Sequence, residues 1–483
     1  MKRIYYMILL IAGAFSIASC GIYNRYKPKE EVREDLYGKN IQSQMNLLNA
    51  ASKDSSLLNL KGKGNVVFGD SITNMADIEW KEFFTDPKLQ ILIERALAHN
   101  ADLRKAKLQV EAAEAMVKSA RLSYLPSFAL SPQGTLSYAD VGSATVKTYN
   151  LPLAASWEID IFGKLTNEKR SAVMALEQTR EYAQAVRCRI ISSVANLYYT
   201  IITLDEQLDI SLKTLANSHR SLHLTKELKE AGLATEVAVA QTEAAWRSVQ
   251  ASVSNLNIQR KKSINALLLL LMEVPDTEIE RSSWADQSLP DKLEVGIPIQ
   301  LLANRPDVRM AEAALAKAFY QTNQARASFY PSIVLSGSAG WTNLVGDVIV
   351  NPAEFVANAV ASLTQPLFAR GKLTAQLRAA KAAQEQAAID FEYSLLNAGK
   401  EVNDAFEGYF NAVVNLSVFA EQTKLLAKAV EDTQHMMDYG HLTYLEVLTA
   451  QQSYYAAQLS ESANKLAVAQ GIITLYSALG GGR

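Results

Sequence analysis

The sequence predicts a mainly α protein with a small β part. Long coiled-coil helices form an α-barrel, and four strands per chain complete a trimeric 12-stranded transmembrane β-barrel. Three observations carry this. First, Lys164 to Ala231 contains neither proline nor glycine, and Lys372 to Tyr439 contains no proline and only Gly399 and Gly408. Each stretch of 68 residues would make a helix of about 100 Å, beyond ordinary globular lengths and suggestive of a coiled coil or helical tube. Second, the two stretches belong to an internal repeat. Third, between the repeated blocks the apolar period switches from helix to strand.

The order of elements follows from punctuation and spacing. Lys2 and Arg3 precede the apolar stretch Ile4 to Ile17, the layout of a secretory signal peptide and too short to span a bilayer. Ile17-Ala18-Ser19-Cys20 resembles the lipobox of bacterial lipoproteins, with cleavage before an acylated Cys20. An ordinary signal with a chance cysteine is the alternative. Gly21 at the next position favours sorting to the outer membrane. Residues 20–77 are polar, with a charged run from Lys27 to Glu34 and a glycine-rich turn at Lys61-Gly62-Lys63-Gly64; they are read as a weakly ordered lead-in. The repeats follow as residues 78–290 and 291–483, each a helix, a β-hairpin, a long helix and a further helix.

The repeat is legible residue by residue. Asp102-Leu103-Arg104 matches Asp307-Val308-Arg309, and Ala120-Arg121-x-Ser123-Tyr124-x-Pro126-Ser127 matches Ala325-Arg326-x-Ser328-Phe329-x-Pro331-Ser332, at an offset of 205. Gly163-Lys164-Leu165 matches Gly371-Lys372-Leu373, Gly232 matches Gly440 and Thr235 matches Thr443, at an offset of 208. The difference falls where loops are expected. Two copies make a duplicated unit, not a solenoid.

The long stretches carry apolar residues three and four apart. These are Ile190, Val194, Leu197, Ile201, Leu204 and Leu208, continued by Leu215 and Leu222, and in the second copy Val402, Phe406, Tyr409, Val413 and Leu416. A period near 3.5 implies supercoiled helices packed side by side. Shorter helices at residues 100–125 with 233–274 sum to 68 residues, and those at 307–330 with 441–479 to 63, so each pair could stack end to end beside a long one. Strand alternation appears at Phe128 to Tyr138, at Tyr149 to Trp157 after a loop at Gly142, at Ile333 to Trp341 and at Phe355 to Leu363. Apolar positions alternate there with small or polar ones, with aromatics near the ends, as in transmembrane barrel strands. Four strands cannot close a barrel and lipid tolerates no open edge, so closure must come from other copies; three would supply twelve strands.

Composition excludes several classes. The 483 residues hold 48 basic and 50 acidic side chains, a net charge of −2. A near-neutral chain lacks the basic patch that nucleic-acid binding needs. Cys20 and Cys188 are the two cysteines, too few for a disulfide scaffold or a four-thiolate metal site.

The layout resembles the TolC-like outer-membrane efflux proteins, in their lipoprotein branch, over roughly residues 78–483. The resemblance rests on Trp80-x-x-Phe83-Phe84-x-Asp86-Pro87-x-Leu89 and Ala96-Leu97-x-x-Asn100-x-Asp102-Leu103. It continues through Asn304-Arg305-Pro306-Asp307-Val308 with Ala311-Glu312, Gln365-Pro366-Leu367-Phe368, and the closing Leu475-Tyr476-x-Ala478-Leu479-Gly480-Gly481-Gly482. Arg483 stands where the family usually ends in tryptophan, and Met272 where glycine is common. The resemblance implies a homotrimeric duct in the outer membrane, lipid-anchored at Cys20, with its helical tube in the periplasm. A periplasmic adaptor and an RND-type inner-membrane pump expel small solutes through it. The duct binds no cofactor, metal or nucleic acid and catalyses nothing. It also implies a periplasmic gate at Glu446 and Thr449, with adaptor-facing turns at Gly232, Thr235, Gly440 and Thr443. Acidic residues commonly stand at both gate positions; this chain keeps only Glu446. Three converging carboxylates would attract cations and repel one another; a solvated glutamate near a helix start is the alternative.

Other classes find less support. His219 and His223 lie four apart on a helix, but no zinc motif accompanies them. No phosphate loop or nucleophile elbow is present. Cys188 reads as a small core residue, and Glu111/Glu114 and Glu227/Glu230 as exposed helix charges. A protein-secretion exit duct and a trimeric coiled-coil scaffold lipoprotein are the remaining readings; the scaffold leaves the strand hairpins unexplained.

Overall fold

The computed structural model describes residues 22–28, 36, 65–67, 78–139, 144–287, 292–294, 304–345, 348–439 and 444–482. The signal sequence, Cys20, the loop at Gly142, and Gly440 and Thr443 lie outside the described residues. The strands are β1 (Asn65–Val67), β2 (Ser127–Leu130), β3 (Gln133–Ala139), β4 (Ala144–Ile159), β5 (Lys292–Glu294), β6 (Ser332–Val345) and β7 (Val348–Thr364). The helices are α1 (Trp80–Phe83), α2 (Pro87–His99), α3 (Ala101–Leu122), α4 (Lys164–Glu230), α5 (Glu236–Leu271), α6 (Pro306–Ala327), α7 (Lys372–Asp438) and α8 (Tyr444–Ala478). Both proline-free stretches are single helices of 67 residues. No described helix is long and apolar enough to cross a membrane.

The chain forms two compact units, each drawing on both repeats. The first comprises residues 1–29, 108–181 and 310–393 and is centred on an antiparallel sheet. Its order is β2-β4-β6-β7, with β3 also paired to β4. The expected single strand from Phe128 to Tyr138 is therefore two pieces laid along one partner. The break falls at Ser131-Pro132, because proline has no N–H to continue the ladder; Ser131 N–H instead donates to Pro152 O at 3.2 Å. Pro152 itself sits inside β4 opposite Gly340. A Cβ on Gly340 would lie 2.7 Å from the Pro152 Cα, so only glycine admits this close crossing.

The described start of the lead-in also departs from expectation. Residues 22–28 are packed within the first unit, not loose: Ile22 is buried, and Asn167 Nδ2 donates to its carbonyl at 2.9 Å. Tyr26 N–H donates to the Tyr320 hydroxyl at 3.2 Å, and its ring meets Phe319 edge-on at 6.1 Å. The signal missed was aromatic spacing in a segment whose charge dominated its composition.

The second unit comprises residues 30–107, 182–309 and 394–483. Its core contains the coiled-coil seam: Ile190, Val194, Ile201, Leu204 and Leu222 of α4, and Val402, Phe406, Tyr409, Val413 and Leu416 of α7, are all buried. Leu197, Leu208 and Leu215 are half-buried. β1 and β5 pair in parallel, Asn65 opposite Lys292, a contact invisible in sequence because neither strand exceeds three residues.

Two joints in this unit match the expected end-to-end stacking. Asn100 Oδ1 accepts from Asp102 N–H at 2.9 Å and caps α3, while its Nδ2 donates to Leu270 O in the last turn of α5 at 3.1 Å. Arg305, 205 residues later, donates from Nη1 to Ala478 O in the last turn of α8 at 2.7 Å. Leu270 and Ala478 are themselves related by the 208 offset. Met272 caps α5 in the left-handed conformation, φ 60°, the place where a helix usually recruits glycine.

Candidate functional site

The sheet of the first unit has two chemically distinct faces, set by the period-2 alternation of strands. Register places Phe128 beside Ala155, Leu151 beside Trp341, Leu153 beside Ala339, and Trp341 beside Phe355. Leu130, Leu136, Tyr138, Trp157 and Leu363 share this apolar face and are exposed. Aromatics gather at both ends: Trp157 and Phe128 near the helices, Tyr138, Trp341 and Phe355 toward the loops. Trp341 and Phe355 touch edge-on at 5.5 Å, and Trp157 Nε1 donates to Tyr124 O at 2.9 Å. Such girdles flank the apolar band of a transmembrane barrel.

The opposite face is polar and shallowly grooved, lined by Gln133, Thr135, Thr148, Asn150, Thr342 and Asn358. Asn358 Oδ1 accepts from Ser338 N–H and hydroxyl, both at 3.2 Å. Asn343 stitches a register irregularity, its Oδ1 accepting from Tyr149 N–H at 2.7 Å and its Nδ2 donating to Lys147 O at 2.9 Å.

At the C-terminal end of α4, the chain passes to α5 through Gly232, φ +78°, where a β-carbon would be strained. Leu233 N–H returns to Leu228 O at 2.8 Å, closing the C-cap. Thr235 Oγ1 accepts from Ala238 N–H at 3.2 Å, the N-cap that residue type favours, and Lys229 pairs with Glu236 across the turn. In the second repeat Glu446 lies in the first turn of α8 and is exposed. Thr449 is exposed on the same side, its hydroxyl donating to Leu445 O at 2.8 Å. Val447 and Leu448 between them are buried, so the packing of α8 turns Glu446 and Thr449 outward together.

The histidines and the cysteine weighed for chemistry each have a structural neighbour. His219 packs on Trp246 with centroids 5.7 Å apart, and His223 pairs with Glu227 at 3.2 Å. Among the described residues no three metal-ligating side chains converge. Cys188 is buried beside the closing glycines, with Sγ 3.6 Å from Gly482 O.

Sequence reasoning missed one polar node. Asp86 accepts from the Tyr198 hydroxyl at 2.5 Å, from Gln287 Nε2 at 2.8 Å, from Lys88 N–H at 2.9 Å and from Ser282 Oγ at 3.2 Å. Burial would raise its carboxyl, but these four donors outweigh that and hold it below 3.8. Its partners are up to 201 residues distant, so no local spacing announces them.

Comparison with known proteins agrees with this architecture. The profile of the family described as "Outer membrane efflux protein" matches residues 92–271 and 297–481. The cation efflux system protein CusC of Escherichia coli O6:H1 is 30% identical over 412 residues, 85% of this chain and 89% of CusC. The toluene efflux pump outer membrane protein TtgF of Pseudomonas putida is 30% identical over 425 residues, covering 85% and 87%. The open state of the MtrE outer membrane channel of Neisseria gonorrhoeae superposes with a TM-score of 0.79 at 25% identity, covering 95% of this chain and 97% of MtrE.

Proposed function

Because the chain belongs to the outer membrane efflux protein family, we propose that it is the trimeric exit duct through which a periplasmic adaptor and an RND-type inner-membrane pump expel small solutes. Family members are outer-membrane channels and not enzymes. The two-faced sheet with unpaired outer edges carries the trimeric reading. Among the described residues β7 and the β2/β3 side each lack a partner on one flank, and an apolar-outside sheet cannot sit in lipid with free edges. Leu367 and Phe368, 93% and 87% exposed just beyond β7, fit the same reading, since a second copy would cover them.

The finer assignments follow. Cys20 is the acylated anchor, close in sequence to the packed segment at residues 22–28. Glu446 and Thr449 form the periplasmic gate, supported by their shared exposed side on α8. Gly232, Thr235, Gly440 and Thr443 form the turns that meet the adaptor. Residues 78–290 and 291–483 are the duplicated halves. The names of CusC and TtgF speak of cations and toluene, which favours small-solute efflux over protein secretion. The duct takes its energy from the pump and catalyses nothing.

The test is the detergent-corrected light-scattering mass of the protein extracted from outer membranes, followed by bilayer recording. Three copies per particle and a larger conductance for Glu446→Ala are expected. A monomer released without detergent once the anchor is removed would return the protein to the scaffold reading. Unchanged conductance in the Glu446→Ala channel would remove the gate.

A further inference from the structure

The described strands of the two-faced sheet hold three charged residues, Lys147, Glu158 and Glu354. Lys147 stands opposite Leu136, on the apolar side. Glu158 is on the polar side near the helices, where Lys164 Nζ neutralises it at 2.8 Å. Glu354 stands opposite Thr342, and the alternation of β7 puts it on the polar side with Val356 and Asn358. It is exposed, and among the described residues no basic side chain pairs with it. Among the described residues the polar face is thus a neutral hydrogen-bonding wall with one uncompensated charge.

The height of that charge follows from the strand. Glu354 is ten residues from Thr364, the last residue of β7, about 33 Å along the chain. A tilt of about 40° leaves it roughly 25 Å above the helix end, the full height of an apolar band. Trp341 and Phe355, on the other face at the same level, agree. Glu354 therefore belongs at the outer interface of the strand barrel.

We propose that Glu354 is a charge-selectivity determinant of the duct's outer mouth, where three copies face one lumen and favour cationic over anionic solutes. This rests on the trimeric duct reading. Twelve strands close a barrel roughly 24 Å across between backbones, which brings three inward carboxylates to roughly 15 Å from one another. That is comparable with the Debye length of about 10 Å at 0.1 M salt, so their fields add on the axis at low salt and separate at high salt. No fixed positive charge among the described residues of the polar face opposes them.

The experiment is the reversal potential of the full-length trimer in planar bilayers under a KCl gradient at tens of millimolar. The native duct prefers K⁺. Glu354→Gln lowers the K⁺/Cl⁻ permeability ratio about threefold or more, Glu354→Lys inverts the preference, and both differences shrink near 1 M salt. Ratios equal to native in both variants, with channels present, would overturn the proposal and leave the duct standing. A native protein that forms no channel would overturn the duct reading, and this proposal with it. Should those variants not assemble, Glu354→Cys supplies a second arm. Cys188 is buried and Cys20 is read as acylated, so the introduced thiol is the one open to reagents. A cationic methanethiosulfonate must then lower the ratio further than an anionic one; equal effects would also overturn the proposal.

Discussion

Asn100 and Arg305 hold the same position in the two repeats and meet the same need with different chemistry. Each ties the start of one helix to the last-turn carbonyl of another, where backbone groups have no intrahelical partner. Asn100 does so as a neutral cap. Arg305 is almost wholly buried as a side chain and needs two carboxylates, Asp307 at 2.6 Å and Glu401 at 2.5 Å. Burial alone would lower its guanidinium pKa, but these acids raise it above the ordinary value. Both acids are about half exposed, so solvent screens much of the pairing. The charged hydrogen bond to Ala478 O sets the scale instead. Arg305→Ala should cost about 2–3 kcal/mol, read as a lower melting temperature in detergent, with Arg305→Lys intermediate. Melting unchanged in both would show that the joint holds without this residue. The matching offset of 205 was legible; the partner carbonyl, 173 residues away, was not.

At the scale of elements, punctuation decided most of what could be foreseen. Helices stop at glycines that turn left-handed, which close their ends at little steric cost, and the long ones persist where proline is absent. The same rule hides an asymmetry. Gly163 and Gly371 start the two long helices with nearly equal dihedrals, φ +71° and +77°. A Cβ on Gly371 would meet nothing, whereas one on Gly163 would lie 3.0 Å from the Tyr23 ring. Both alanine variants bear the left-handed backbone cost of about 1–2 kcal/mol, but only Gly163→Ala should loosen the packed segment at residues 22–28. Limited proteolysis checks this: cleavage near Tyr26 should quicken in Gly163→Ala and not in Gly371→Ala. Equal rates would mean that Tyr23 is not held through Gly163. Strand pieces were harder to foresee than helices, since Pro132 and Pro152 act through which partner strand lies opposite.

For the whole molecule, pH reports how much stability the buried polar groups supply. Asp86 has a depressed folded pKa, so its contribution is complete above the unfolded value and is lost only as pH falls through the folded one, below 3.8. Burial raises Tyr409 and Tyr476 from 10.0 to about 12. Their contribution is complete below pH 10 and is lost as pH rises from 10 toward 12. Far-UV circular dichroism of the detergent-solubilised protein should therefore be flat from about pH 5 to 9. It should fall above about pH 10 in step with tyrosinate absorbance, and Tyr476→Phe should shift that fall. Unfolding near neutral pH would contradict the assignment. What the sequence determined by itself was local or periodic: long helices, duplicated halves, strand alternation, the glycine stops and the resemblance those motifs carry. Each depends on neighbours within a few residues, or on one offset repeated along the chain. The tertiary structure alone decided the Asp86 node, the Arg305 joint, the packing of residues 22–28 and the face on which Glu354 stands. Their partners lie far apart in sequence, and register across strands, not spacing along one, chooses which side chains meet.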